Sequence, residues 1–181
     1  VGSYLVYVGG VPILVIGLLS VVSGIAYTGG PYPLGYHGLG DLFVFVFFGV
    51  IAVMGTYYVQ AAAVLAAPLT TTLPAGTVTL EAFVASLPIA AISTNILVVN
   101  NIRDKAEDET TGKRTLAVRF GYGVSRAEYI GLLGLAYLVP IWLWLATPFG
   151  VTVLLPLVTL PIAASVAETV RTETSGEALN P

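Results

Sequence analysis

The chain has 181 residues, of which 56% are hydrophobic and 9% charged, and its mean hydropathy is +0.91. This composition excludes an ordinary soluble domain and indicates an integral membrane protein. Without cysteine there are no disulfides or thiolate metal ligands, and the single histidine, His37, cannot form a multi-histidine zinc site. The net charge of −3 argues against a nucleic-acid partner.

Five apolar stretches are long enough, or nearly so, to cross the roughly 30 Å hydrocarbon core of a bilayer as helices. They are Tyr4 to Tyr27, Leu42 to Ala67, Leu80 to Val99, Ala127 to Ala146 and Gly150 to Ala167. Because they are apolar around the whole circumference, they differ from the helices of soluble proteins. The sequence therefore predicts an all-α, polytopic transmembrane helix bundle that forms a single domain over residues 1–181. Prolines within or beside the spans predict kinks or breaks, at Pro12, Pro88, Pro140, Pro156 and Pro161.

The connections between the spans alternate between two sides of the membrane. All seven Lys and Arg residues lie on or beside one side, which carries the loop Thr28 to Asp41, the segment Asn100 to Arg126 and the tail from Arg171. The positive-inside rule makes that side cytoplasmic. Val1 then begins on the outer side, which fits either a complete polypeptide or an odd number of further spans upstream. We expect a multi-pass protein of the cell membrane with its polar loops on the cytoplasmic side.

Charge is concentrated in the segment NNIRDKAEDETTGKRT, Asn100 to Thr115. Between Arg103 and Arg119 lie five of the seven basic and four of the ten acidic residues. Asn100, Asp104 and Asp108 recur every four residues, so in a helix their oxygens project from one face.

Oxygen ligands of this kind suit Mg²⁺, which is held by one or two carboxylates together with substrate phosphates. Lys113 and Arg114 are candidates to bind phosphate oxygens, and Gly112 permits a turn that returns them to the acids. The alternative is a solvated loop in which opposite charges neutralise each other.

Two further features are candidates for ligand contact. The loop YTGGPYPLGYHGLGD, Tyr27 to Asp41, is rich in glycine and suits a close backbone approach to a ligand, although an interfacial turn anchored by tyrosines is the alternative. For His37 a headgroup or hydrogen-bonding role is favoured over catalysis. Gln60 and Asn95 lie inside spans, where polar side chains either join helices or contact substrate.

The run NNIRDKAEDETTGKRTLAVRFG resembles the second aspartate-rich motif of the UbiA superfamily of intramembrane prenyltransferases. The run YTGGPYPLGYHGLGDLFVFVFFG, followed by GTYYVQ, is similar to the 1,4-dihydroxy-2-naphthoate polyprenyltransferases of menaquinone synthesis. The resemblance implies a nine-helix bundle in which two aspartate-rich motifs bind a polyprenyl diphosphate through Mg²⁺. It further implies transfer of the prenyl group to 1,4-dihydroxy-2-naphthoate, with loss of diphosphate and CO₂, giving demethylmenaquinone.

Transferred to this sequence, the resemblance implies that Asp104 and Asp108 are the catalytic metal ligands. Asn100 or Asn101 becomes an adjacent polar ligand or orienting group. The residues expected to meet the diphosphate or to cap the site are Arg103, Lys113, Arg114, Tyr36 and His37.

Two departures from the family pattern affect these expectations. The first motif, of the form NDxxDxxxD, has no match in the 181 residues, and the loop lacks a lysine that many relatives carry. The five spans correspond to the fourth to eighth of the family, and the GEALNP tail would lead into a ninth. We therefore expect a fragment that is inactive alone. The alternatives are a UbiA-type enzyme with another acceptor (4-hydroxybenzoate, homogentisate or a chlorin) and a non-catalytic membrane protein that binds a quinone or lipid.

Overall fold

The computed structural model describes residues 1–29, 33–65, 68–174 and 179, and these contain helices and connecting turns but no β-strand. In chain order the helices are α1 (Gly2–Thr28), α2 (Gly40–Val64), α3 (Leu80–Arg103), α4 (Lys105–Thr110), α5 (Leu116–Ala146) and α6 (Leu160–Thr172). Five segments are long and apolar enough to cross a membrane: α1, α2, α3, α5, and Val151–Thr172, in which a 3₁₀ helix precedes α6. The predicted all-α, polytopic fold is confirmed.

Two spans extend beyond the bounds that hydropathy predicts. Helix α3 ends at Arg103 rather than Val99, and α5 begins at Leu116 rather than Ala127. A helix continues as long as its backbone hydrogen bonds and its cap allow, whereas hydropathy registers only its apolar part. At the start of α5, the Val118 amide donates to the Thr115 hydroxyl oxygen over 3.4 Å, which caps the helix. The predicted end of the second span, Ala67, lies outside the described residues.

Helical backbone angles are interrupted at two glycines, and the last span changes from 3₁₀ helix to α-helix between Pro156 and Pro161. Gly10, two residues before Pro12, has φ +65°, and Gly121 has φ +81°. At Gly10 the freed groups are satisfied by the segment that follows α2: the Val11 amide donates to the Thr70 carbonyl over 2.8 Å. The Leu69 amide donates in turn to the Tyr7 carbonyl over 3.0 Å. A neighbouring segment thus replaces the hydrogen bonds that α1 loses, as a membrane helix requires.

Helix α3 lies at the centre of the described bundle, between α2 and α5. On one side, the π-helical turn Phe45–Ile51 of α2 approaches so closely that a Cβ on Gly49 would lie 2.2 Å from the Ala90 Cβ. On the other side α3, α5 and α6 share a buried apolar cluster of Val98, Ile102, Tyr129, Ala167 and Val170. Helix α3 is therefore packed between α2 on one side and α5 and α6 on the other.

Candidate functional site

The charged segment is helical on both sides of a turn at Asp104. Asp104 lies between α3 and α4 with φ −92° and ψ 6°. Its amide donates to the Asn100 carbonyl over 2.9 Å, and the Asp108 amide donates to the Asp104 carbonyl over the same distance. The i to i+4 hydrogen bonding therefore continues through Asp104, and Asn100, Asp104 and Asp108 lie on successive helical turns.

Each of the two predicted metal ligands is paired with a basic side chain. The Arg103 guanidinium donates two hydrogen bonds to Asp104, from Nε to Oδ1 over 2.6 Å and from Nη2 to Oδ2 over 2.8 Å. Hydrogen bonding by Arg103 lowers the pKa of Asp104 below its ordinary value. The Lys113 ammonium lies 3.2 Å from both carboxylate oxygens of Asp108, which is buried. The site thus holds two carboxyl groups, each in contact with a basic side chain.

A glycine turn brings Lys113 back to Asp108. Gly112 has φ +76°, and the Lys113 amide donates to the Asp108 carbonyl over 3.0 Å. The same turn carries Arg114 past the loop that precedes α2, where its amide donates to the Tyr36 carbonyl over 2.8 Å. The Arg114 side chain itself is exposed.

The loop before α2 therefore lies against the charged segment, but through its backbone. Tyr36 has an exposed side chain, and the His37 Nδ1 hydrogen-bonds to the Pro33 carbonyl over 2.8 Å within the same 3₁₀ turn, Leu34–His37. Residues 30–32 of the predicted loop lie outside the described residues. Tyr36 and His37 are thus close to Lys113 and Arg114 in the fold, and the observed inter-segment contact is made by the main chain.

Asp41 is a buried acidic residue beside the charged segment that the sequence reasoning did not single out. It lies in the first turn of α2 with 4% of its surface exposed, and it accepts a hydrogen bond from Asn101 Nδ2 over 3.2 Å. A cavity of about 10 Å³ has Asp41, Asn101 and Lys113 among its lining residues. The available signal was an acidic residue at the start of an otherwise apolar span, since ionisable groups inside spans are usually functional.

Neighbouring residues of α3 face different surroundings. Asn101 faces Asp41, whereas Asn100 and Arg103 line a cavity of about 360 Å³ between α3, α5 and the last span. This cavity is polar near the charged segment and apolar elsewhere, where it is lined by Ile92, Ile96, Val99, Leu133 and Val166. Its shape and polarity suit an amphiphile with a charged head and an apolar chain.

Asn95 lines the same cavity, and its two polar atoms differ. Its Nδ2 donates to the Tyr129 carbonyl over 3.2 Å, which joins α3 to α5. Its Oδ1 is buried and has no hydrogen-bond partner among the described residues. The Asn95 amide therefore joins α3 to α5 and still presents an acceptor oxygen. The structure fits both a role in helix packing and a role in substrate contact.

Gln60 is not brought to this site. It lies 19 residues beyond Asp41 on α2, roughly 28 Å along a helix, and it lines a groove with Ala75 and Gly76 at the other end of the span. Helical rise alone separates it from the charged segment. Gln60 therefore lies apart from the charged segment, and its role as a substrate contact stays a prediction.

Asp104 and Asp108 are the predicted residues to hold a metal. Among the described residues no group of three or more histidines and carboxylates converges on one point. Two carboxylates suffice for Mg²⁺ when substrate phosphates complete its shell, so Asp104 and Asp108 fit such an ion as oxygen donors.

Comparison with known proteins shows which sequences this chain is similar to. The chain is 40% identical over 169 residues to the 1,4-dihydroxy-2-naphthoate octaprenyltransferase of Mycobacterium tuberculosis, covering 93% of this chain and 52% of that protein. It is 34% identical over 149 residues to the Haemophilus influenzae protein of the same name, covering 82% and 44%. It is 35% identical over 148 residues to UbiA prenyltransferase domain-containing protein 1 of Ailuropoda melanoleuca, covering 82% and 39%.

The chain spans about half the length of these relatives or less. The model of the UbiA prenyltransferase family matches residues 1–178, which is nearly the whole chain. With its spans, the protein is a multi-pass membrane protein. The chain belongs to the UbiA prenyltransferase family.

Proposed function

We propose that the protein transfers a polyprenyl group from its diphosphate to 1,4-dihydroxy-2-naphthoate. The observation that carries the proposal is the pair Asp104 and Asp108, each paired with a basic side chain, on the two helical turns that follow Asn100 at the polar end of the cavity between α3 and α5. The names of the bacterial relatives support this acceptor. Diphosphate and CO₂ leave, and the prenylated naphthohydroquinone that remains is the reduced form of demethylmenaquinone.

Asp104 and Asp108 would hold Mg²⁺, because they supply oxygen ligands beside the cations that would meet the diphosphate. When bound, the metal supplies positive charge that stabilises the diphosphate leaving group. Arg103 adds a planar guanidinium suited to two phosphate oxygens, and Lys113 adds a compact point charge. Arg103 contacts Asp104 and Lys113 contacts Asp108, so each cation would lie beside a ligand held by its own carboxylate.

The cavity between α3 and α5 would receive the first part of the isoprenoid chain. Its apolar lining excludes water from the allylic carbon, and its polar end, at Asn100 and Arg103, adjoins the diphosphate. The Asn95 Oδ1, which has no hydrogen-bond partner among the described residues, would accept a hydrogen bond from a hydroxyl group of the aromatic substrate. We assign residues 1–181 to one transmembrane prenyltransferase domain of the cell membrane, with the charged segment on the cytoplasmic side.

The proposal is tested by turnover in membranes that contain the full-length protein, polyprenyl diphosphate, 1,4-dihydroxy-2-naphthoate and Mg²⁺. Asp104→Ala removes one proposed metal ligand, and Glu107→Ala, an exposed acid on the next turn, is the matched control. We expect Asp104→Ala to lower turnover by at least about a hundredfold, the order typical for loss of one strong electrostatic contribution, and Glu107→Ala to leave it nearly unchanged. Equal turnover in both variants would refute the metal role of Asp104.

The acceptor is tested separately from the metal. Turnover with 4-hydroxybenzoate, homogentisate or a chlorin, and not with 1,4-dihydroxy-2-naphthoate, would move the protein to another branch of the family. A protein that binds diphosphate no better with Mg²⁺ than without it would be a quinone- or lipid-binding relative without catalysis.

A further inference from the structure

Asp41 is a buried carboxylate for which the proposed prenyl transfer names no role. Its side chain is almost fully enclosed at the start of α2, and Asn101 Nδ2 donates one hydrogen bond to it over 3.2 Å. An ionisable group inside a membrane span is costly unless it is paired. A neutral amide satisfies one lone pair of the carboxylate but leaves its charge uncompensated.

The cation that faces Asp41 is Lys113. Both residues line the cavity of about 10 Å³ at the junction of loop and charged segment, and their charges interact. The cavity has room for about one water molecule, which would link the two side chains. Since the Lys113 ammonium is also 3.2 Å from Asp108, it lies between two carboxylates, one in direct contact and one across the cavity.

The backbone fixes this arrangement. The hydrogen bond from the Arg114 amide to the Tyr36 carbonyl holds the chain beside Lys113 against the loop that leads into α2. A Cβ on Gly38 would lie 2.9 Å from the Arg114 carbonyl oxygen, and one on Gly40 would lie 3.3 Å from the Tyr27 hydroxyl oxygen. Gly38 therefore allows the loop to approach the charged segment, and Gly40 allows α2 to begin beside Tyr27; together they set Asp41 opposite Lys113.

We propose that Asp41 is a positioning residue: it is the second counter-ion of Lys113, and it keeps the ammonium group at the diphosphate site when Asp108 serves as a metal ligand. The proposal rests on the function proposed above. An Asp108 carboxylate that gives its oxygens to a metal no longer holds the lysine. Lysine is a flexible side chain with a strongly hydrated charge, so without another anion it would turn toward solvent. Asp41 supplies that anion from a rigid position.

The test is a double-mutant cycle on the binding of inorganic diphosphate to the full-length protein in detergent, measured by calorimetry with and without Mg²⁺. The variants are Asp41→Asn, Lys113→Gln and the double variant. Asparagine keeps the shape of Asp41 and an oxygen that accepts from Asn101, so it removes the charge alone. Glu107→Gln, which removes an exposed charge from α4, is the control.

We expect Asp41→Asn to weaken Mg²⁺-dependent diphosphate binding by about tenfold, the order of one charge-assisted contact. Because Asp41 acts through Lys113, the double variant should bind no more weakly than Lys113→Gln alone. Glu107→Gln should stay within about twofold of the unmodified protein. Additive losses in the double variant, or an unchanged affinity in Asp41→Asn, would overturn the positioning role.

Failure of this inference is distinguishable from failure of the proposed function. If the unmodified protein does not bind diphosphate, both fall. If binding is lost in Asp104→Ala but intact in Asp41→Asn, the function stands and the role of Asp41 falls. If Asp41→Asn does not fold, Asp41→Glu retains the charge and should retain binding within about threefold; a folded Asp41→Glu protein that loses binding would contradict the proposal.

Discussion

The contact between the loop and the charged segment can be tested at a single backbone position. Gly38 has φ +75°, and a Cβ there would lie 2.9 Å from the Arg114 carbonyl oxygen. Gly38→Ala therefore imposes two costs, a left-handed conformation on an L-residue and a clash with main chain. Because the Arg114 carbonyl oxygen belongs to the backbone beside Lys113, the clash should move the loop away from the charged segment.

Gly76→Ala separates the two costs. Gly76 has φ +82°, but a Cβ there meets nothing within 4 Å. The left-handed conformation should cost each variant about 1 kcal/mol of the free energy of unfolding. Overpacking should cost Gly38→Ala a further 1 to 3 kcal/mol, roughly. Loss of the hydrogen bond between the Arg114 amide and the Tyr36 carbonyl would accompany that second cost.

The assay is thermal unfolding of the full-length protein in detergent, together with Mg²⁺-dependent binding of inorganic diphosphate. We expect Gly76→Ala to lower the unfolding temperature slightly and to leave diphosphate affinity unchanged. Gly38→Ala should lower the unfolding temperature further and weaken diphosphate binding by about tenfold, which corresponds to a loss of about 1.4 kcal/mol of binding free energy. Identical behaviour of the two variants in both measurements would refute the argument that loop contact positions the site.

Two further predictions concern ion pairs and a helix end. Because Arg103 lowers the pKa of Asp104, the unfolded chain binds a proton at Asp104 more readily than the folded chain does. This pair therefore stabilises the fold fully above the unfolded pKa of about 3.9, and its effect is lost as the pH falls through the folded pKa. Arg103→Gln should abolish that part of the pH dependence of unfolding, and an unchanged pH profile would contradict the prediction. Arg126 donates from Nε to the Val170 carbonyl and from Nη2 to the Glu173 carbonyl, both over 2.9 Å, at the end of α6. Arg126→Gln should therefore lower the free energy of unfolding by about 1 to 3 kcal/mol. Arg171→Gln breaks an exposed ion pair with Glu168 and should lower it by less than about 0.5 kcal/mol. Equal losses in thermal unfolding would argue against a role of Arg126 in capping the end of α6.

The amino-acid sequence by itself determined the fold class, the number of spans and the segment that carries the charge. A long apolar run crosses the bilayer as a helix, because the hydrocarbon core has a fixed thickness and offers no hydrogen-bond partners to the backbone. Helical spacing is also local, so the succession of Asn100, Asp104 and Asp108 followed from their numbering. The return of Lys113 to Asp108 was equally local, since a glycine turn of four residues joins them.

Tertiary structure alone decided which distant groups meet. Asp41 and Asn101 are 60 positions apart, and Asn95 and the Tyr129 carbonyl are 34 apart. Gln60, which has the same polar character as Asn95, lies at the other end of its span. Apolar periodicity does not encode the rotation of one membrane helix against another, because lipid and protein offer similar apolar surroundings; close contacts such as Gly49 with Ala90 set that rotation. The rotation of α2 against α3 is what turns Asp41 toward Asn101 and toward the cavity that it shares with Lys113.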